Sequence, residues 1–330
     1  MDFEFKRAPL PGLVSIIIPC YNAERFLSEA LESAFFQSYP YSEIIVIDDG
    51  STDKTADLIR AYGDRVQADF SPHRGVSAAR NRGTALARGE FIQYLDADDL
   101  LTRNAVAHRV ITLQETGSDV AYSDWEKLFE TQSNKFEVCE HVARRIEDVH
   151  PTLEIALMTS FWAPPAALTY RRTIVEKIGG WKEWLPVLED TRFLQDAAFA
   201  GGTFVHSPGV GARYRVHHGA SLSRASHIGF VTALFRNACD LQAKFEARGG
   251  LSAEERYALT KQYGRAARSF FVHGKRSLFH ECIARLYKVE PGFRLSWPKV
   301  ASLMSKLIGF KPASMLLPLL TRLRRIAGQR

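Results

Sequence analysis

Two runs of bulky, mostly β-branched residues, VSIIIP at 14–19 and EIIVIDDGS at 43–51, limit the folds open to this chain more than any other feature. Continuous apolar runs this short suit strands covered on both faces of a parallel sheet. Parallel neighbours need a crossover between them, and the intervening NAERFLSEALESAFFQ supplies one. It sets Phe26, Leu27, Ala30, Leu31, Ala34 and Phe35 at helical spacing and has Asn22 in place for an N-cap. The alternation continues. TDKTADLIRAYG reads as helix, RVQADF as strand, VSAARNRGTALARG as helix closed by Gly89, and FIQYLDADD as strand. Such a pattern predicts a doubly wound α/β domain, in which ligands gather at the carboxyl ends of the strands.

After about residue 220 the turns thin out, and 226–248, 252–272 and 276–288 read as helices. The expected division is therefore an α/β domain over 1–222 and a helical region over 223–330. The last stretch, LSWPKVASLMSKLIGFKPASMLLPLLTRLRRIAGQR, reads as short helices broken by Pro312 and Pro318. There Val300, Leu303 and Leu307 fall at amphipathic spacing, with Lys299, Lys306, Lys311, Arg322, Arg324 and Arg325 nearby. Such a tail suits packing against the catalytic domain, or peripheral contact with an anionic membrane surface.

At 330 residues the chain has room for one large domain and an appendage. Hydrophobic and charged contents of 46% and 24% are those of a globular protein. A net charge of +6 is compatible with a phosphorylated ligand or anionic lipid. There is no basic stripe with interleaved aromatics, so nucleic acid is not expected as a partner. Cys20, Cys139, Cys239 and Cys282 are far apart and form no CxxC pair or disulfide framework, which points to a reducing compartment. MDFEFKRAPLPG is not a secretion signal, and no apolar run approaches bilayer length, so a cytoplasmic location is the expectation.

The strand ends carry the chemistry. Asp48 and Asp49 follow one strand, and Asp96, Asp98 and Asp99 crowd behind another. Like charges that close need a cation. A hard divalent ion such as Mg²⁺ or Mn²⁺, shared with substrate phosphates, would serve, although a DADD loop can also be no more than a solvated cap. On the same rim, Tyr21 could stack on a base and Asp48 or Asp49 could accept from a base N–H. Arg80, in SAARNRG, could contact phosphate or base. Each alone has a plainer reading, as a packed aromatic, a turn and a solvated helical face. Their occurrence together and in order favours a nucleotide. An NAD-type site is excluded because PCYNAE stands where a GxGxxG turn would be needed.

SIIIPCYNAERFLSEALES, EIIVIDDGSTDKT, GVSAARNRG, GEFIQYLDADD and LEDTRFLQDAAFAGG, in this order, resemble the family 2 glycosyltransferases of GT-A fold, over roughly residues 12–222. The resemblance implies a Rossmann-like, doubly wound mixed sheet. It implies inverting, metal-dependent transfer of a sugar from a nucleotide diphosphate donor, usually UDP- or dTDP-linked. The acceptor would be a saccharide or lipid-linked hydroxyl in surface polysaccharide or glycolipid synthesis, on the cytoplasmic face. By the same resemblance Pro19 and Tyr21 line the nucleoside pocket, and the Asp48–Asp49 pair reads the base. Arg80 contacts the donor, Asp96 lies near ribose or sugar, and Asp98 binds Mn²⁺ or Mg²⁺.

Inversion needs a carboxylate facing the donor sugar to take the acceptor proton. In the family, the aspartate of an acidic pair at a helix start does this, which assigns the base to Asp190 with Glu189 beside the acceptor. An acidic pair in that position also stabilises a helix dipole. The family commonly has an acid two positions further on, where this chain has Arg192. Trp181 and Trp184 could offer an apolar platform to a sugar face, or pack in the core. In RYRVHHGASLS, His217 matches the histidine that reaches metal or pyrophosphate better than His218 does. The other class of function open to these residues is a nucleotide-sugar-binding module without turnover.

Overall fold

A computed structural model describes residues 4–133, 135–143, 145, 152–219 and 226–293. The chain divides into two compact units at Gly219/Ala220. The first opens with β1 (Leu10–Cys20), α1 (Leu27–Phe35), β2 (Ser42–Asp48), α2 (Thr55–Ala61) and β3 (Gln67–Phe70). It continues with α3 (Val76–Leu86), β4 (Gly89–Tyr94), β5 (Leu100–Leu101), α4 (Ala105–Thr116), β6 (Val120–Glu130) and β7 (Phe136–Val142). Then come α5 (Leu153–Thr159), a 3-10 turn (Pro165–Ala167), β8 (Leu168–Arg171), α6 (Arg172–Ile178), α7 (Glu189–Phe199) and β9 (Phe204–Val216).

The strands form one mixed sheet in the order β3-β2-β1-β4-β8-β6-β9-β5, with β7 paired to β6. The half read from sequence is parallel: β1 pairs with β2 and β4, and β2 with β3. At β4 the direction changes, since β8 runs antiparallel to both β4 and β6. β9 then runs parallel to β6 along its length. These pairings bring the chain around 190–217 to the rim where β1, β2 and β4 end.

Burial explains the local choices. Every residue of β1 from Leu13 to Cys20 is buried, as a strand covered on both faces must be. In α1 the buried residues are Leu27, Ala30, Leu31 and Ala34, one helical stripe. Each fully buried Ile or Leu is worth about 1.5–3 kcal/mol, so this central layer anchors the unit.

Two sequence expectations are corrected here. Gly89 does not close α3; that helix ends at Leu86, and Gly89 begins β4. A Cβ there would lie 2.6 Å from Ser15 N, so glycine is required by the approach of β1. Asn22 does not cap α1, whose N-cap is Phe26 without a side-chain bond. Its Oδ1 instead accepts from Thr52 N at 2.8 Å.

The second unit contains α8 (His227–Ala247), α9 (Ala253–Val272) and α10 (Arg276–Val289). Ser226 caps α8, and Ser252 with Glu255 forms a capping box on α9. Phe235, Phe245, Tyr263, Phe270, Phe279 and Leu286 are buried there. Among the described residues no helix is long and apolar enough to cross a membrane. The basic amphipathic tail from Lys299 to Arg325 lies outside the described residues.

Candidate active site

The nucleoside side of the rim is built on the ends of β1 and β2, where Pro19 and Cys20 stand opposite Ile47 and Asp48. Gly50, at φ +78°, turns the chain after β2; a Cβ there would meet His73 N at 2.7 Å. The loop carrying His73 therefore crosses directly over the turn. Tyr21 stacks on His73, with ring centroids 4.0 Å apart, yet stays 48% exposed. The two aspartates behind β2 do different work. Asp49 accepts from Arg74 N through Oδ1 at 2.9 Å and from Gly75 N through Oδ2 at 2.8 Å, and its Oδ2 also lies 2.8 Å from His73 Nδ1. Both its oxygens thus help to close that loop. Asp48 gives one oxygen to Ser51 N at 3.1 Å.

The acid cluster behind β4 finds two guanidinium partners. Arg80, on α3 and only 2% exposed, donates to Asp96 Oδ1 at 2.6 Å and to Glu189 Oε1 at 3.0 Å. It also covers the indole of Trp181, 4.2 Å from the ring centroid. Arg80 is thus not on a solvated face; it joins two carboxylates. Arg215 on β9 donates its backbone N–H to Asp99 Oδ1 at 2.9 Å and its guanidinium to the Asp98 carbonyl at 3.2 Å, while pairing with Glu29. Asp99 is buried with its other oxygen unpartnered, and burial together with Asp98 and Asp96 pushes its pKa well up. Burial also raises the Asp96 carboxyl, against the pull of Arg80.

Asp98 is the open member, with a side chain 43% exposed and Oδ2 3.2 Å from His217 Nε2. His218 lies on the next residue, its backbone N–H on Glu130. Among the described residues no three His, Cys, Asp or Glu side chains form a cation cage. An aspartate oxygen and an imidazole nitrogen nevertheless fit a hard divalent ion whose remaining ligands are phosphate and water.

The third part of the rim is the start of α7. Its N-cap, Leu188, has φ 67°, and among the described residues Asn22 and Leu188 are the only non-glycine positions with positive φ. Left-handed leucine costs about 1–2 kcal/mol, and both strained positions flank the site. Asp190 Oδ1 accepts from Thr191 N at 2.6 Å, and Oδ2 accepts from Trp162 Nε1 at 2.7 Å. Glu189 is buried against Arg80. Burial first, then the adjacent Asp190, pushes its pKa up to about 7 against the opposing pull of Arg80.

Two expected acceptor contacts change. Trp181 is 3% exposed, stacked on Phe193 at 4.1 Å on one side and covered by Arg80 on the other, so it has no free face. Trp184 is the exposed tryptophan of the pair. Glu189 likewise faces the protein interior through Arg80. Arg192, standing where the family has an acid, is buried and paired with Asp196 at 3.0 Å. Sequence reasoning missed Trp162 and left Arg215 without a role. Arg215 lay inside the quoted RYRVHH, but Trp162 sits in SFWAPP, which has no periodicity to read.

Residues 15–162 match the profile of Glycosyl transferase family 2. An uncharacterised glycosyltransferase of Rickettsia typhi is 40% identical over 118 residues, 35% of this chain and 37% of the relative. Glycosyltransferase GlyG of Streptococcus pneumoniae is 32% identical over 126 residues, 37% of this chain and 42% of the relative. The aligned part thus spans about two fifths of these relatives' length. A Nostoc glycosyltransferase, also uncharacterised, is 26% identical over 77% of this chain and 83% of its own. Among solved structures, S. aureus TarS 1-349 in complex with UDP-GlcNAc superposes with a TM-score of 0.66 at 18% identity, covering 94% of this chain and 91% of that one. The mixed sheet and its helices are a GT-A glycosyltransferase fold. Over residues 15–162 the chain is similar to the family 2 glycosyltransferases.

Proposed function

We propose that this chain is an inverting glycosyltransferase that uses a UDP- or dTDP-linked sugar and a divalent metal to glycosylate a saccharide or lipid-linked hydroxyl. The observation that carries the reading is Arg80, which joins Asp96 of the DADD segment to Glu189 of the acidic pair. Donor-side and base-side acids thereby form one charged rim. In this reading Pro19 and Tyr21 line the nucleoside pocket, and Tyr21 offers a ring to the base. Asp48 accepts from a base N–H with the oxygen that Ser51 leaves. Asp98 and His217 would hold Mn²⁺ or Mg²⁺, which supplies charge neutralisation to the departing diphosphate. Asp190 takes the acceptor proton at a carboxylate oxygen as the hydroxyl attacks the anomeric carbon. Arg80 keeps Asp96 and Glu189 in place beside it. Trp184 can meet a sugar face. A lipid-linked acceptor in surface polysaccharide or glycolipid synthesis, with the basic tail on the cytoplasmic membrane face, is the context that agrees with the net charge of +6.

Calorimetric titration with UDP, with and without Mn²⁺, tests the donor site. The parent should bind more tightly with metal, and Asp98→Ala should lose that increment while keeping its fold. Unchanged metal-dependent affinity in the variant removes Asp98 as a ligand. Binding of nucleotide sugars without release of nucleotide, across a panel of donors and acceptors, would instead favour a non-catalytic binding module.

A further inference from the structure

Trp162 lies between α5 and the turn at Pro165–Ala167, and its indole is fixed from two sides. Its ring meets Trp125 of β6 edge-on, with centroids 6.1 Å apart at 87°, and Tyr214 of β9 at 5.6 Å and 80°. With the ring held in this way the N–H has one direction, and it donates to Asp190 Oδ2 at 2.7 Å. The neighbouring Trp125 is instructive. Its own Nε1 is buried and makes no hydrogen bond among the described residues, so this cluster does not satisfy every indole N–H. That of Trp162 is spent on Asp190. The second oxygen of the same carboxylate accepts from Thr191 N. Thr191 Oγ1 donates to that same oxygen at 3.3 Å, so the plane of the carboxylate is set by Thr191 on one oxygen and Trp162 on the other, and Oδ2 keeps a lone pair.

We propose that Trp162 is the positioning residue for the base: its N–H holds the Asp190 carboxylate in the orientation from which a proton can be accepted. The inference rests on Asp190 acting as the base in the proposed transfer. A charge-assisted hydrogen bond of this kind is among the stronger single interactions in a protein, and it fixes orientation at a point where a small misplacement lowers the rate steeply. The other charged or titratable groups around Asp190 are Glu189 on its own helix, Arg80 on α3, Asp96 behind β4, Tyr170 on β8 and Tyr214 on β9. Of these, Tyr214 also meets Trp162, and Trp162→Phe keeps a ring against it.

The test is Trp162→Phe, which keeps an aromatic ring against Trp125 and Tyr214 and removes only the N–H. Single-turnover transfer and UDP affinity are measured in the parent and in an Asp190→Asn background. Transfer should fall about 10- to 100-fold, as misorientation of a reacting group does, with UDP affinity unchanged. In the Asp190→Asn background the same change should cost nothing further, because the group it orients is no longer a base. An equal loss in both backgrounds would assign Trp162 to packing alone, and transfer at the parent rate would overturn the role. Should Trp162→Phe prove unfolded, Trp162→His, which retains a ring N–H, must outperform Trp162→Leu for the inference to stand. Asp190→Asn at the parent rate would defeat the base assignment together with this inference. A dead Asp190→Asn beside a fully active Trp162→Phe would defeat this inference alone.

Discussion

Two of the guanidinium groups buried in the sheet unit are held in opposite ways. Arg80, at the rim, lies between the carboxylates of Asp96 and Glu189. Arg109, on α4 inside the sheet layer, is wholly buried among neutral oxygens. Its Nε donates to Thr169 Oγ1 at 2.9 Å, and its terminal nitrogens donate to Ser123 Oγ at 2.9 Å and Gln93 Oε1 at 2.7 Å. Burial pushes the pKa of Arg109 down. Burial acts the same way on Arg80, but Asp96 and Glu189 outweigh it and the net shift is upward. Burial of a charge therefore does not by itself mark a site; the partners do. Arg109 braces β4, β6 and β8 through groups that cannot titrate. Arg80 is tied to acids whose charge changes when a proton or a cation arrives.

The largest effect is expected where the rim does chemistry without holding the fold. Asp190→Asn should lower single-turnover transfer roughly 10²- to 10⁴-fold, with nucleotide affinity almost unchanged. Transfer at the parent rate would pass the base role to Glu189. Arg80→Met breaks the ionic side of the comparison. It leaves Asp96 and Glu189 buried without a cation, and removing one partner of a buried pair costs about 3–5 kcal/mol. Urea unfolding should show the loss, and it should shrink on acidification as the two acids protonate. A loss that does not change with pH would mean that Arg80 acts by packing on Trp181.

Arg109→Met tests the neutral side. It removes an uncompensated cation but takes one donor from each of three buried oxygens, for a net cost of about 1–3 kcal/mol. That cost should be the same on either side of neutrality, because none of the partners titrates there. A pH-dependent loss would place an acid near Arg109 and weaken the contrast.

The smallest change sharpens the ionic side. The pKa of Glu189 is raised in the folded state to about 7 from an ordinary 4.5, with burial the largest cause. A raised folded-state value means that the stability linked to this group is full below the unfolded value and is lost as pH rises through the folded one. The parent should therefore lose up to about 1.4 kcal/mol per pH unit within that window, and Glu189→Gln should flatten the slope. A variant with the parent's pH dependence would exclude Glu189 as its source.

Local pattern was enough for the rhythm from β1 to β4, because a β-branched run and a stripe at 3.6-residue spacing are decided by residues close in sequence. The segment from 100 to 188 was not legible in that way. β5 has two residues and β8 four, too few for a period, and β6 and β7 mix apolar with charged side chains. The acids were legible as strand-end residues, and the order of motifs identified the family. No local pattern could pair them. Arg80 meets Asp96 at a separation of 16 residues and Glu189 at 109. The N–H that holds Asp190 comes from 28 residues upstream. Such partners are chosen by strand order. Because β8 lies against β4 and β6 carries β9, the chain around 190–217 returns to the ends of the first strands. Only then does Asp49 close a loop, Trp181 lose both faces, and Asp98 remain open beside His217.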